Sequence, residues 1–304
     1  MSYFSFLPEM YYKLDQNRDV LVKNILTRGK IYDFLRDSAS SALEYTISDE
    51  EKPETLAARV YGRSDYHWII LLFNEIHDPY FEWPMSINEM ENQLAKTYTG
   101  QVVYVDTNTI FDVDRKELFD KKNPHFAEGD MVERRNREGN VVSTAQIVSW
   151  DPNLYKLVID SVQGSFVPGE SGMDILYSTN SKGKRISAEI KRTTTENRYA
   201  LHHFESASTG EVISPLYRPR KKRSDGTMYI DRDRLIDRFV FGNVEAPDLG
   251  VDHEGNPLGV ARSVTNIEYE EKKNDAKRTI RVMRPEFIDP LLSDFRKLFL
   301  VNRR

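Results

Sequence analysis

PETLAARVYGRSDYHWIILLFNEIHDPYFEWPMS, residues Pro53 to Ser86, is the densest apolar and aromatic passage in this 304-residue chain, and the reading of the whole turns on it. Pro53 presets φ for a first helical position, and Glu54 sits where a carboxylate opposes the helix dipole. Leu56, Ala57, Val60 and Tyr61 supply a buried stripe, and Gly62 is placed to end the helix in the left-handed region. Ser64 or Asp65 caps a second helix. In it Trp68, Leu71, Leu72 and Glu75 mark one face, while Ile69, Phe73 and Ile76 mark another. A helix apolar on two faces packs between layers. Asn74 and Asp78-Pro79 stop it, with Asn74 tying a turn through its side-chain amide. Tyr80 to Trp83 follows as an aromatic segment closed by Pro84.

The same passage offers no chemistry. His67 and His77 do not have the i, i+4 spacing of a zinc helix, so both read as structural. Asp78 and Glu82 lie among prolines and aromatics typical of a packed loop, and nothing fixes their separation for acid–base work. The chain has no cysteine, which removes disulfides, thiol nucleophiles and sulfur-ligated metals. A formal net charge of −5 argues against nucleic acid as the main partner. The N-terminus, MSYFSFLPEMYYKL, lacks the basic-then-apolar pattern of a signal peptide. The longest apolar run, Trp68 to Phe73, is far short of the ~20 residues of a membrane span. The expectation is a non-enzyme without cofactor or metal.

Outward from the central passage the chain divides into five segments. Residues 1–43 form an extended arm carrying Phe4, Phe6, Tyr11 and Tyr12, with a short helix from about Gly29 to Ser41. The arm either packs on a partner or folds back on its own domain. Residues 44–100 hold the core passage, a preceding strand at Leu43 to Ser48, and a helix opened by the Ser86–Glu89 capping box. From Gln101 the apolar period changes from 3.6 to 2, and short strands between glycine turns describe a small antiparallel barrel over 101–178. The phrase Phe-x-x-Gly-acid occurs at Phe126 and Phe166, explained by a buried phenylalanine beside a turn. Asp112, Asp114 and Glu117 resemble part of a calcium loop but lack its glycine.

Residues 179–263 lose clear periodicity and read as a basic, loop-rich excursion. Arg218 to Arg223 is basic except at Pro219, and Arg220 and Arg223 are candidates for docking on an acidic protein surface, with a solvated loop and nucleic acid as the other readings. Arg234 to Phe241 is a short amphipathic element. In 264–304, Asn266 to Lys273 and Lys277 to Arg284 alternate and suggest a hairpin. Asp289 and Pro290 open a last helix whose stripe includes Leu292, Phe295 and Phe299. That helix either closes its own core or enters a partner's groove, with the balance towards the partner.

Tyr45 to Pro79 resembles the LysM fold, a β-α-α-β module. Tyr45-Thr-Ile47 matches its opening strand, Pro53-Glu54-Thr55-Leu56 its helix-start phrase, and Ala57-Ala58 and Tyr61-Gly62 its small pair and turn. Trp68, Asn74 and Asp78-Pro79 match its later positions. The usual closing phrase before a second strand is missing, replaced by Tyr80 to Ser86, and the family's first glycine is Pro53. The longer series from the aromatic arm through YTI, PETLAARVYG, LLFNEIHDPYFEWP and KTY is similar to the LysM-containing baseplate wedge subunits of T4-like contractile-tailed bacteriophages. YEEKKNDAKRTIRVMRPEF, from Tyr269 to Phe287, resembles tail sections of wedge proteins in the same phages.

The resemblance implies an α+β fold: a LysM-like β-α-α-β module, then a small antiparallel barrel, then extended, partly helical docking segments. It implies a structural subunit of the virion tail baseplate, assembled in the host cytoplasm. Such a subunit contacts other wedge proteins and the sheath-initiating subunit, and joins neighbouring wedges in a sixfold ring around the hub, with no membrane or nucleic-acid partner. Trp68, Asn74, Asp78, Pro79 and Trp83, with Leu56, Tyr61, Gly62 and Leu72 from the helical reading, hold the module together. Phe4, Phe6, Tyr11, Tyr12, Tyr80, Phe81, Arg220, Arg223, Leu292, Phe295 and Phe299 are the expected protein contacts. The competing function is a cell-wall glycan binder acting through the LysM-like part.

Overall fold

The computed structural model describes residues 3–15, 18–27, 29–31, 40–106, 109–113, 117–118, 126–136, 138–168, 175–179, 185–242 and 244–301. The chain divides into two units, one formed by 1–91 with 271–304, the other by 92–270. The first is therefore discontinuous in sequence.

The discontinuous unit opens with an antiparallel hairpin of β1 (Glu9–Asp15) and β2 (Arg18–Lys23). The helix expected over Gly29 to Ser41 falls mainly on residues outside the described ones. Strand β3 (Ala42–Thr46) leads to α1 (Pro53–Tyr61), which has Pro53 in its first turn and ends at Gly62 with φ 71°. A 3-10 turn, Ser64–Tyr66, intervenes before α2 (His67–Phe73), so neither Ser64 nor Asp65 caps that helix directly; Asp65 instead pairs with Arg63 at 2.8 Å. Helix α2 is apolar on two faces, but their membership differs from the expected one. Trp68, Ile69 and Phe73, with Leu72 beside them, enter one apolar cluster, while Ile70, with Leu71 and Ile76 beside it, enters a second that includes Ile47, Leu56 and Trp83.

Strand β3 is paired antiparallel by a closing strand, Thr279–Met283, more than 230 residues further along the chain. Ile280 and Val282 fill the cluster beneath Leu56, and Met283 joins Trp68 in the other. The terminal helix, Ile288–Val301, adds Ile288, Leu292 and Phe295 to the Trp68 cluster. The alternation at Lys277 to Arg284 thus forms a strand, but its expected hairpin partner, Asn266 to Lys273, does not. Asn266–Asp275 is a helix. The reason is a capping box: the Thr265 N–H donates to the Glu268 carboxylate at 2.8 Å, and the Glu268 N–H donates to Thr265 Oγ1 at 3.3 Å.

The second unit contains the expected barrel, with a different end. Six strands close in the order Ile175–Thr179 (β10), Met131–Arg135 (β7), Val141–Asp151 (β8), Lys156–Gln163 (β9), Gln101–Val105 (β4) and Arg185–Thr194 (β11), with β11 pairing back on β10. Two short strands, Phe111–Asp112 (β5) and Glu117–Leu118 (β6), extend from β11. The sequence reading stopped the barrel at 178, yet β11 is needed for closure, and its Ile186, Ala188 and Ile190 point inside. Phe126 and Phe166 are both in that interior, as their turn motif implies. Along β4, Val103 and Val105 face the barrel core while Val102 and Tyr104 face a second core. That explains why QVVYV is apolar throughout: both sides of the strand are covered.

The second core refutes the loop-rich reading of 179–263. A further sheet orders Val212–Ile213 (β13), Leu201–Ser206 (β12), Pro257–Thr265 (β17), Asp248–Val251 (β16), Arg220–Lys222 (β14) and Met228–Ile230 (β15). The amphipathic element at 234–241 is a helix, Leu235–Phe241, whose Leu235, Ile236, Phe239 and Val240 pack with Phe204 and Leu249. Periodicity failed because these strands are short and bulged. At Gly250, φ is 80° and an added Cβ would lie 2.2 Å from the Arg220 carbonyl oxygen, so only glycine permits β14 and β16 to meet.

In the same unit His202 stacks on Tyr269 at 3.9 Å and shares a hydrogen bond with His203 at 2.8 Å. Burial, then the neighbouring His203 and Lys156, lower its pKa below the ordinary histidine value. The folded state therefore binds fewer protons here than the unfolded chain. Stability is expected to fall as pH drops through about 6.5, the value for a histidine in the unfolded chain. Urea melts of wild type and His202→Gln at pH 7.5 and 5.5 check this: the variant should lose less on acidification.

Candidate docking surfaces

Of the residues expected to hold the Pro53 to Ser86 passage together, Leu56 and Trp83 lie in one buried cluster and Trp68 in another. Asn74 is the most connected. Its amide nitrogen donates to the Ile70 carbonyl at 2.8 Å, closing the turn after α2, and to the Arg281 carbonyl at 2.7 Å. Its oxygen accepts the Arg281 N–H at 2.8 Å. One side chain thus satisfies both backbone groups on the outer edge of the closing strand, blocking further pairing there. Asp78 caps the short helix α3 (Pro79–Glu82), accepting the Tyr80 N–H at 3.0 Å. Trp83 is buried, its indole N–H donating to the Glu51 carbonyl at 2.8 Å.

Sequence reasoning missed three groups. Buried Glu51 accepts the Tyr45 hydroxyl at 2.9 Å and the Ser48 N–H at 3.1 Å, and pairs with Arg59 at 3.0 Å. Burial, with Glu51 beside it, raises the Tyr45 pKa. The acidic DEEKP loop disguised this residue among surface acids. Asn274 exchanges two hydrogen bonds with the Met85 backbone, at 2.8 and 3.0 Å, and Lys277 donates to the Phe81 carbonyl at 2.6 Å. Both contacts join residues nearly 200 positions apart, which no local pattern encodes.

These anchors leave the α3 loop rigid at its base and bare at its tip. Tyr80 is 91% exposed and Phe81 77%. The arm hairpin is the other bare aromatic feature, with Tyr11 74% and Tyr12 56% exposed beside exposed Met10, Leu14, Val20 and Leu21. Phe4 is exposed too. Clustered exposed apolar side chains are in general more frequent at contact sites than elsewhere on a protein surface.

Other expected contacts lie elsewhere. Phe6, Leu292 and Phe295 are buried in the chain's own core. Phe295 lies 6.3 Å from Phe6 and 5.5 Å from Trp68, ring centre to ring centre, so all three close this unit instead of facing a partner. Phe299 lies outside the described side chains. Arg220 is half-buried in β14, while Arg223 is exposed over the Tyr229 ring. The intervening Lys221 donates to Asp231 at 2.7 Å, and Arg238 meets the same carboxylate. That pairing, Lys221 foremost, holds the Asp231 pKa down to about 2. The basic run is therefore partly neutralised from within, leaving Arg218, Lys222 and Arg223 as its exposed members. Among the described residues no group of three or more His, Asp or Glu side chains is placed to hold a metal ion.

Two comparisons bear on what meets these surfaces. The family model described as "Base plate wedge protein 53" matches residues 4–157, half of the chain. A 64-residue stretch is 38% identical to baseplate wedge protein gp53 of Enterobacteria phage T4. That alignment covers 20% of this chain and 33% of the relative, so about a third of the relative's length is spanned.

Proposed function

Because this chain belongs to the base plate wedge protein 53 family, we propose that it is a structural, non-catalytic subunit of a contractile phage tail, built into the baseplate wedge of the virion. The match from the arm through α1, α2 and into the barrel carries this reading. Its partners are the other wedge proteins and the sheath-initiating subunit, and it helps join neighbouring wedges in a sixfold ring around the hub. Within it, β3, α1, α2 and the closing strand form a LysM-like module whose second strand comes from the C-terminal part of the chain. The antiparallel pairing of that strand with β3 and the position of Asn74 support the assignment. The bare Tyr80–Phe81 tip is a protein contact in this scheme. No observation favours the glycan-binding reading.

The experiment is a paired substitution, Tyr80→Ser with Phe81→Ser. Both side chains are exposed, so unfolding free energy is expected to move by no more than ~0.5 kcal/mol. Incorporation into tails, read by mass spectrometry of purified virions, is expected to fall sharply. Cryo-electron microscopy of a tail in which the wild-type chain is absent from the baseplate would overturn the function itself.

A further inference from the structure

We propose that the arm hairpin of one copy of this chain adds to the free edge of β3 in a second copy, building one four-stranded sheet across the two. The argument starts from hydrogen-bond phase. The Ile47 N–H donates to the Arg278 carbonyl and the Arg284 N–H to the Ser41 carbonyl, so in β3 the odd residues bond the closing strand. The backbone groups of Ala42, Glu44 and Thr46 then point to the other edge. Among the described residues, none of these three has a hydrogen-bond or ion-pair partner on that side. Asn74 blocks the opposite edge of the sheet, and among the described residues nothing equivalent blocks this one. In the hairpin, the Asn24 N–H donates to the Pro8 carbonyl, so even residues of β1 bond β2 while Tyr11 and Lys13 present their backbone outward, up to the register shift between Lys13 and Asp15.

Only one antiparallel register joins these two edges in phase with opposite charges facing. Pairing Glu44 with Glu9 sets like charges opposite each other, which destabilises a sheet. Pairing it with Tyr11 leaves it without a cation. Pairing it with Lys13 places Tyr12 beside Tyr45 and Tyr11 beside Thr46. Tyr12 then shares the face already occupied by Ile280 and Val282. On β2 the outward residues Asp19 and Lys23 offer nothing better, because Lys23 is already paired with Glu9 at 3.0 Å. A second copy of β3 is excluded as the occupant when Glu44 meets Glu44. The union also removes two liabilities at once, an unguarded strand edge and a two-stranded hairpin too small to be stable alone.

The absence of cysteine makes the test direct. Tyr11 and Thr46, both exposed, would face each other at a hydrogen-bonded position, where Cα atoms lie about 5.5 Å apart, within disulfide range. Purified full-length Tyr11→Cys is mixed with Thr46→Cys under mild oxidation, after maleimide labelling of a sample of each shows an accessible thiol. The expected result is a heterodimer cross-linked between positions 11 and 46. The double variant should give dimers or a ladder. Adding Lys13→Glu or Glu44→Lys should lower the yield several-fold, and combining them should restore it. Labelled but uncross-linked thiols, or a double variant that yields only an internally closed monomer, would overturn the proposal. The measurement is made on the isolated chain, so it can fail while the wedge assignment stands, or succeed while that assignment falls.

Discussion

Ending the chain at Glu270 is expected to unfold the N-terminal unit while leaving residues 92–270 folded. The 34 residues removed include Ile280, Val282, Met283, Ile288, Leu292 and Phe295, all buried in the two clusters that also hold Trp68 and Leu56. Losing a single buried Leu, Ile or Phe side chain costs about 2–5 kcal/mol. Two or three such losses equal the ~5–15 kcal/mol that stabilises a whole domain. Strand β3 would lose its only partner among the described residues, and Asn74 the backbone it ties. Calorimetry should show two transitions for the full chain and one for the truncated form. A truncated protein retaining both transitions would show that 1–91 is self-sufficient.

The second large effect is expected at Trp68. Its ring lies 5.4 Å from Tyr3, 5.8 Å from Phe6 and 5.5 Å from Phe295, all tilted, so it joins the arm, α2 and the terminal helix in one aromatic cluster. Trp68→Ala should cost about 3–5 kcal/mol by chemical denaturation, from lost burial and the cavity left. Part of that cost is shared. A double-mutant cycle with Phe295→Ala should show a coupling of about 0.5–1.5 kcal/mol, the scale of a direct aromatic contact. Additive losses would mean that the rings touch without cooperating.

Local patterns were legible where one short segment carries its own explanation. Pro53, Gly62, the Ser86–Glu89 box and the apolar run of Val102 to Val105 each encode a start, a stop or a strand within a few residues. All four appear in the structure. Patterns failed where the deciding partner is remote. The alternation at Lys277 to Arg284 gives a strand but cannot say that its mate is β3. Leu292 and Phe295 look like an unpartnered stripe until Gly29 and Trp68 are seen beside them; a Cβ on Gly29 would sit 2.5 Å from the Phe295 ring. The Thr265–Glu268 box was readable and was masked by the alternation after it. The exposed tip at Tyr80 and Phe81 was the most legible part of the candidate surface, because capped, proline-flanked aromatics have few neighbours to bury them.

The remote closing strand has a consequence for the order of events during synthesis. Residues 92–270 emerge from the ribosome complete and can fold while the earlier 91 residues still lack Ile280, Val282 and Phe295. The N-terminal unit is thus translated first and finished last. Its Tyr80–Phe81 tip gains its full support only when Lys277 arrives to donate to the Phe81 carbonyl. On the proposed role of that tip as a contact, a nascent chain is kept from presenting it fully supported until the segment carrying Lys277, nearly 200 residues later, has been made.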